Sequence, residues 1–168
     1  MSNGQLHRAS VDEIDAPTLY RLLQLRSEVF VLEQACPYQD LDGRDLEPDT
    51  RQLWITADDG TIASELRILR NTRPDGADTF QIGRVCTHRA YRGHGHTRRL
   101  MIEALAEVGD HECRVEAQKY LVDMYAGHGF SVVGEEYLED GIPHVSMIRA
   151  PGGASSSGTS EVSARDEL

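Results

Sequence analysis

The stretch that most constrains this chain runs from residue 80 to residue 108. Residues 80–87 are rich in apolar and β-branched side chains and read as a strand, Arg92-Gly93-His94-Gly95-His96-Thr97 reads as a glycine turn, and Leu100, Ala104 and Val108 recur at helical spacing. Strand, glycine turn and helix in that order aim successive backbone N–H groups, backed by the positive end of a helix dipole, at one anion. Glycine lets the backbone come close to a phosphate. Arg98 and Arg99 fall in the first helical turn, where positive charge opposes the dipole unless an anion rests there. A Gly-x-Gly turn can also serve only to relieve sterics, so its reading depends on the rest of the chain.

That rest supplies a mixed sheet. Leu22, Leu25, Val29 and Leu32 place an apolar face on a helix over 16–33. Strands are predicted over 53–57 and 62–69, with Asp59-Gly60 turning a hairpin between them, and after a polar loop over 71–78 comes the strand of the glycine unit. A strand over 113–117, a short helix over 120–126 closed by Gly127 or Gly129, and a hairpin of 132–137 with 144–149 turned at Asp140-Gly141 complete the set. Helices on both faces of one sheet make an α/β or α+β three-layer domain. The 168 residues suffice for one core. Gly and Ser dominate after Pro151, so the domain is expected to span 1–150, with a flexible tail over 151–168.

Charge and cysteines narrow the function. A formal charge of −11 disfavours nucleic acid and anionic membrane as partners and favours a cationic one. Cys36, Cys86 and Cys113 are odd in number and widely spaced, which argues against a disulfide framework. The start has neither the basic residues nor the apolar run of a signal peptide, and no apolar stretch is long enough to cross a bilayer, so a cytoplasmic setting is expected. The closing residues 165–168 read RDEL, an address without meaning in the absence of a secretory signal.

The glycine turn resembles the pyrophosphate-binding motif of the GNAT acetyltransferases, in which a Gln or Arg is followed by two variable residues, a Gly, one variable residue and a Gly or Ala. Arg92, Gly95 and Thr97 stand at its defining positions. Thr97 departs from the pattern: a branched residue there would crowd the pyrophosphate or cap the helix with its hydroxyl. Tyr125, followed by Ala126-Gly127-His128-Gly129-Phe130, resembles the late Tyr and Gly-Phe signature of the same fold. Val29-Phe30-Val31-Leu32-Glu33-Gln34, Cys36-Pro37-Tyr38 with Asp40, Asp42 and Asp45, and Glu139-Asp140-Gly141-Ile142-Pro143-His144 resemble the ElaA-like branch.

The resemblance implies a mostly antiparallel mixed sheet with a splayed centre and acetyl-CoA as cosubstrate, its acetyl group passing directly to a primary amine in a ternary complex. The backbone of Val85, Cys86 and Thr87 would hold the pantetheine arm and polarise the thioester. Arg92, Gly93, His94, Gly95, His96, Thr97 and Arg98 would surround the pyrophosphate. Tyr125 would hydrogen-bond the coenzyme sulfur and protonate the departing thiolate, being still protonated at neutral pH. Glu65 and Glu116 are the candidate general bases, against the plainer readings of ion pairs with Arg67 and Arg114. Cys86 lacks an evident His–Asp relay and reads as an inert buried thiol. His88, His94 and His96 form no zinc-type ligand set, so no metal is expected.

Two other functions fit part of this pattern: a non-catalytic acyl-CoA sensor of the same fold, and a metal- or phosphate-binding protein built on the histidine-rich turn. The acceptor is left open among small molecules such as polyamines, amino sugars or antibiotics and protein amino groups. A homodimer is compatible with the sequence.

Overall fold

A computed structural model describes residues 3–152; the expectations for 153–168, including the RDEL end, lie outside the described residues. Seven strands form one sheet: β1 (Gln5–Ala9), β2 (Arg51–Thr56), β3 (Ile62–Thr72), β4 (Asp78–Thr87), β5 (Cys113–Gln118), β6 (Ser131–Glu139) and β7 (Ile142–Arg149), in the spatial order β1-β2-β3-β4-β5-β7-β6. Neighbours are antiparallel except β4 and β5, which run parallel. The connection between that pair passes through α2 (His96–Val108). Such a crossover is what a parallel neighbour requires.

Opposite faces of the sheet carry different cores. On one face α2 and α3 (Val122–Ala126) bury Leu100, Met101, Ala104, Val108 and Tyr125 against Leu53, Ile55, Leu66, Ile82, Val85 and Val115. On the other, α1 (Ala16–Arg26) packs Leu22 and Leu25 over Trp54, Ile62 and Cys86. Asp15 starts α1 by accepting the Thr18 N–H at 2.8 Å, and Pro17 sits in the first turn, where its missing donor costs nothing. The expected three layers are present.

The expected single helix over 16–33 changes winding partway. From Ser27 to Glu33 it continues as a π-helix, with Gln34 N–H donating to the Val29 carbonyl and Cys36 N–H to Val31, each five residues back. The wider turn carries Leu32 outward, to 72% exposure, and Phe30 packs against the second core in its place. β1 is not predicted by the sequence pattern: it is a five-residue edge strand whose only buried side chain is Ala9, which leaves too little apolar alternation to mark a strand. At the last hairpin Asp140 and Gly141 both take positive φ, as the Asp-Gly pair predicts.

Candidate active site

The centre of the sheet opens. β4 and β5 pair only at Phe80 with Cys113 and Gln81 with Arg114, and the parallel ladder goes no further. On the other side of β4, Glu65 faces Cys86 and Arg67 faces Gly83, so Arg84 and Val85 together oppose the single residue Leu66. This is a β-bulge. Arg84 carries a φ of 53° within it. Beyond the bulge, the backbone of Arg84, Val85, Cys86 and Thr87 forms a strand edge facing a gap, the arrangement that can receive an extended, amide-bearing ligand as another strand.

The glycine turn follows directly. Gly93 and Gly95 have φ of 78° and 76°, and Gly95 is the N-cap of α2 with no capping side chain. A helix start of this kind presents its first N–H groups to a ligand. A cleft of about 390 Å³ lies against it, lined in part by His94, Gly95, His96 and Arg98. Arg98 is exposed, and Arg99, which also lines the cleft, donates to the carbonyls of Asn3 and Gly4 at 2.6 and 3.0 Å. His94 and His96 stack with ring centroids 6.0 Å apart, and His94 Nδ1 donates to the Tyr91 carbonyl.

The Thr97 hydroxyl does not cap the helix. It is buried and lies 2.9 Å from that of Thr87, which in turn lies 2.8 Å from Ser64 Oγ. Ser64 spends its proton on the Cys86 carbonyl at 2.9 Å. Each hydroxyl has one proton, so Thr87 must donate to Ser64 and Thr97 to Thr87. The chain of hydroxyls ties the start of α2 to β4 and β3, beneath the turn.

Two consecutive residues at the end of the π-helix straddle the gap. Glu33 accepts from Arg92 Nη1 and Nη2 at 2.5 and 2.8 Å while Arg92 Nε donates to the carbonyl of Thr87, the last residue of β4. Gln34 exchanges amide hydrogen bonds with Gln118, the last residue of β5. The Arg92 hydrogen bond holds the Glu33 carboxyl below its usual range. Thus Arg92, expected at the pyrophosphate, is engaged at the mouth between the strands.

The remaining candidates are dispersed. Tyr125 is 5% exposed on the α2–α3 face, its ring edge-on to Phe130, and burial raises its phenol above the ordinary value. Glu65 lies on the α1 face, opposite Cys86, enclosed at 1% exposure with both carboxylate oxygens lacking a hydrogen-bond partner. Its carboxyl is pushed well up by burial, against the pull of Arg26. The alternative expectation for Glu65, a pair with Arg67, is not what forms: Arg67 binds Asp42 and Asp45. Burial also raises the Cys86 thiol.

Glu116 sits half-buried on β5. It lies 3.6 Å from Arg114 as that alternative expects, but its shorter contacts are the hydroxyls of Tyr137 at 2.5 Å and Ser146 at 2.6 Å, which donate to one carboxylate oxygen. Tyr137 in turn stacks on His144. Among the described residues no cluster of three or more His, Cys, Asp or Glu has the geometry to hold a metal ion.

A buried ionic network has no counterpart in the sequence pattern. Arg26, 0% exposed at the end of α1, reaches Asp40 at 2.8 Å and Asp45 at 2.7 Å. Arg67 reaches Asp42 and Asp45, and Arg84 reaches Asp40 and Asp42. The acidic loop is therefore pinned to α1, β3 and the bulge of β4. The Arg67 hydrogen bond holds the Asp42 carboxyl well below the usual range against its burial. An Asp40, Asp42, Asp45 series was visible, but its arginine partners lie far off in sequence.

The model of the acetyltransferase (GNAT) domain matches residues 15–150. The UPF0039 protein Rv2851c of Mycobacterium tuberculosis is 53% identical over 148 residues, which are 88% of this chain and 94% of that one. Escherichia coli ElaA is 41% identical over 141 residues, 82% of this chain and 90% of its own. The crystal structure of ElaA superposes with a TM-score of 0.78 at 38% identity over 86% of this chain and 98% of that one. An acyl-CoA N-acyltransferase from Pseudomonas aeruginosa superposes with a TM-score of 0.80 at 41% identity, covering 87% and 99%.

Proposed function

The chain belongs to the GNAT acetyltransferase family, in its ElaA-like branch, and from that premise we propose that it transfers an acetyl group from acetyl-CoA to a primary amine by direct attack in a ternary complex. The observation that carries the reading is the unpaired edge from Arg84 to Thr87 running into the glycine turn at Gly93 and Gly95. Together they match the two chemically distinct parts of the coenzyme, an amide-bearing arm and a pyrophosphate. On this reading the backbone of Val85, Cys86 and Thr87 holds the arm and polarises the thioester, while Gly93, His94, Gly95, His96 and Arg98 receive the pyrophosphate. Arg92 and Thr97 support that turn from behind, through Glu33 and through Thr87.

The chemistry has three tasks: a neutral amine, a stabilised carbonyl oxygen and a stabilised thiolate. Tyr125 serves the last. Its raised phenol keeps its proton throughout the physiological range, and since an ordinary thiol ionises near pH 8.5, complete proton transfer to the thiolate runs uphill. Tyr125 therefore acts mainly as a hydrogen-bond donor to developing negative charge. Of the two carboxylates, Glu116 is assigned to the amine's proton because it keeps 29% exposure, while Glu65 is enclosed.

The same reading takes residues 1–150 as one acyltransferase domain followed by a tail, and a cytoplasmic setting is part of it, supported by the three free, buried cysteines. The acceptor class is a primary amine on a small molecule or a protein. An acceptor screen with acetyl-CoA as donor and free-thiol detection tests the proposal. Amine-dependent thiol release is expected, and coenzyme binding without release in the presence of any amine would make the protein a holder of acyl-CoA instead.

A further inference from the structure

One residue in the open edge breaks a local rule. Positive φ favours glycine, and β4 has a glycine at position 83, yet the left-handed residue of the bulge is its neighbour Arg84, with φ of 53°. Space does not force this choice, since a Cβ added at Gly83 would meet nothing within 4 Å. A residue in an unfavourable backbone state must be held there by the structure around it, and at 84 the side chain's contacts are part of that hold.

Those contacts are built. Arg84 Nε lies 2.8 Å from Asp40 Oδ1, one Nη donates to the Asp40 carbonyl at 3.0 Å and to Asp42 at 3.3 Å, and the guanidinium lies 5.5 Å from the centre of the Tyr38 ring. The acceptors are themselves fixed. Asp40 is held by Arg26 and by the Tyr38 hydroxyl at 2.6 Å, and Asp42 receives both Nη groups of Arg67 at 2.9 Å. The chain of contacts therefore runs from α1 and β3 through the 38–45 loop to the bulge itself.

We infer that Arg84 is a positioning residue, whose ionic clamp onto Asp40 and Asp42 keeps residue 84 left-handed and thereby fixes the direction of the backbone groups of Val85 to Thr87. The inference rests on the acyl-transfer reading only in taking that edge as the place of the thioester. It makes the acidic loop a brace for the carbonyl-binding backbone. It also explains how arginine can stand where the backbone favours glycine: the clamp offsets the cost of a side chain in the left-handed state.

The test separates the clamp from the function. In the ligand-free protein, the sign of φ at residue 84 is read by NMR from coupling and cross-correlation measurements on the parent, Arg84→Ala, Arg84→Gly and Asp42→Asn. Positive φ is expected in the parent and in Arg84→Gly, and an extended conformation in Arg84→Ala. Kinetics then follow with acetyl-CoA. Arg84→Ala should lower kcat by about 10²-fold, the scale of losing an aligned oxyanion donor, with KM for acetyl-CoA within roughly threefold. Arg84→Gly should exceed Arg84→Ala in kcat by about tenfold, because glycine takes the conformation unaided. Asp42→Asn leaves the bulge residue untouched and should also lower kcat by more than about threefold at unchanged KM, which keeps the test alive if Arg84→Ala folds poorly. Positive φ retained in Arg84→Ala, or a glycine variant as slow as the alanine one, would overturn the inference. A parent that neither binds coenzyme nor turns over would instead sink the acyl-transfer reading, with the NMR result still deciding the clamp.

Discussion

Replacing Arg26 with Met asks how much the buried network contributes. The guanidinium is fully enclosed and donates four hydrogen bonds, to Asp40 Oδ2 at 2.8 Å, to the Asp40 carbonyl at 3.1 Å and to the two oxygens of Asp45 at 2.7 and 3.2 Å. Methionine fills much of the volume and removes all four. Breaking a buried pair from one side costs about 3–5 kcal/mol, because the surviving charge stays desolvated. Here Asp40 keeps Tyr38 and Arg84, and Asp45 keeps Arg67 and Gln52, so the lower end, about 3 kcal/mol, is expected. With a urea m-value of about 2 kcal/mol/M, the midpoint should fall by roughly 1.5 M. The loss should also depend on pH. Burial alone would raise the Asp45 carboxyl, but hydrogen bonding and charge from Arg26, with charge from Arg67, outweigh it and hold it below the usual range. A depressed carboxyl stabilises the fold above its unfolded pKa of about 4, and that stability is lost as pH falls through the folded value. The variant has less of it to lose, so its gap from the parent should hold steady above about pH 5 and narrow as pH falls from there through the folded value of the carboxyl. Adding Asp45→Asn should recover part of the loss by leaving two arginines, Arg67 and Arg84, against two aspartates, Asp40 and Asp42. A midpoint within about 0.3 M of the parent, or a gap that stays constant with pH, would refute the reasoning.

Glu65→Gln should stabilise the protein at neutral pH. The Glu65 carboxyl is raised by burial, so the parent loses stability as pH rises above the unfolded value of about 4.3, whereas the variant does not; urea midpoints at pH 4.5 and 7.5 should show its advantage growing with pH, and an equal or shrinking difference would mean Glu65 is ionised in the fold. Tyr125→Phe keeps the packed ring and loses a donor to developing charge, worth about 1.5–3 kcal/mol. Single-turnover transfer should therefore slow by roughly 10- to 150-fold with CoA affinity little changed. An undiminished rate at every pH would leave Tyr125 as a packing residue.

The sequence carried the fold where local chemistry is strong: the Asp140-Gly141 turn, the buried alternation of β5 at Cys113, Val115 and Ala117, and the Leu100, Ala104, Val108 face of α2. It failed where a change of winding, not of residue type, decided the outcome, as with Leu32 on the π-helix. The glycine turn was legible because steric need and phosphate binding leave the same mark. The splay between β4 and β5 has no such local mark, and it came only through family resemblance. Thr97 read as a departure near the phosphate, yet its meaning lies in Thr87 and Ser64, neighbours brought by the sheet. The pairing of Asp40, Asp42 and Asp45 was not legible because Arg26, Arg67 and Arg84, which desolvate and pair them, belong to three other elements. Long-range charge pairing leaves no period in a sequence.

The most direct test of the account is calorimetric titration of CoA into the parent, Gly95→Asn and Gly95→Glu. Position 95 has φ of 76°, which asparagine tolerates better than other side chains, so Gly95→Asn controls for the fold while Gly95→Glu adds bulk and negative charge where the pyrophosphate is expected. The account predicts stoichiometric binding by the parent, retained binding by the asparagine variant, and a loss of at least about a hundredfold in the glutamate variant, roughly 2.7 kcal/mol. A parent that gives no binding at millimolar CoA, or a glutamate variant that binds as tightly as the parent, would contradict it.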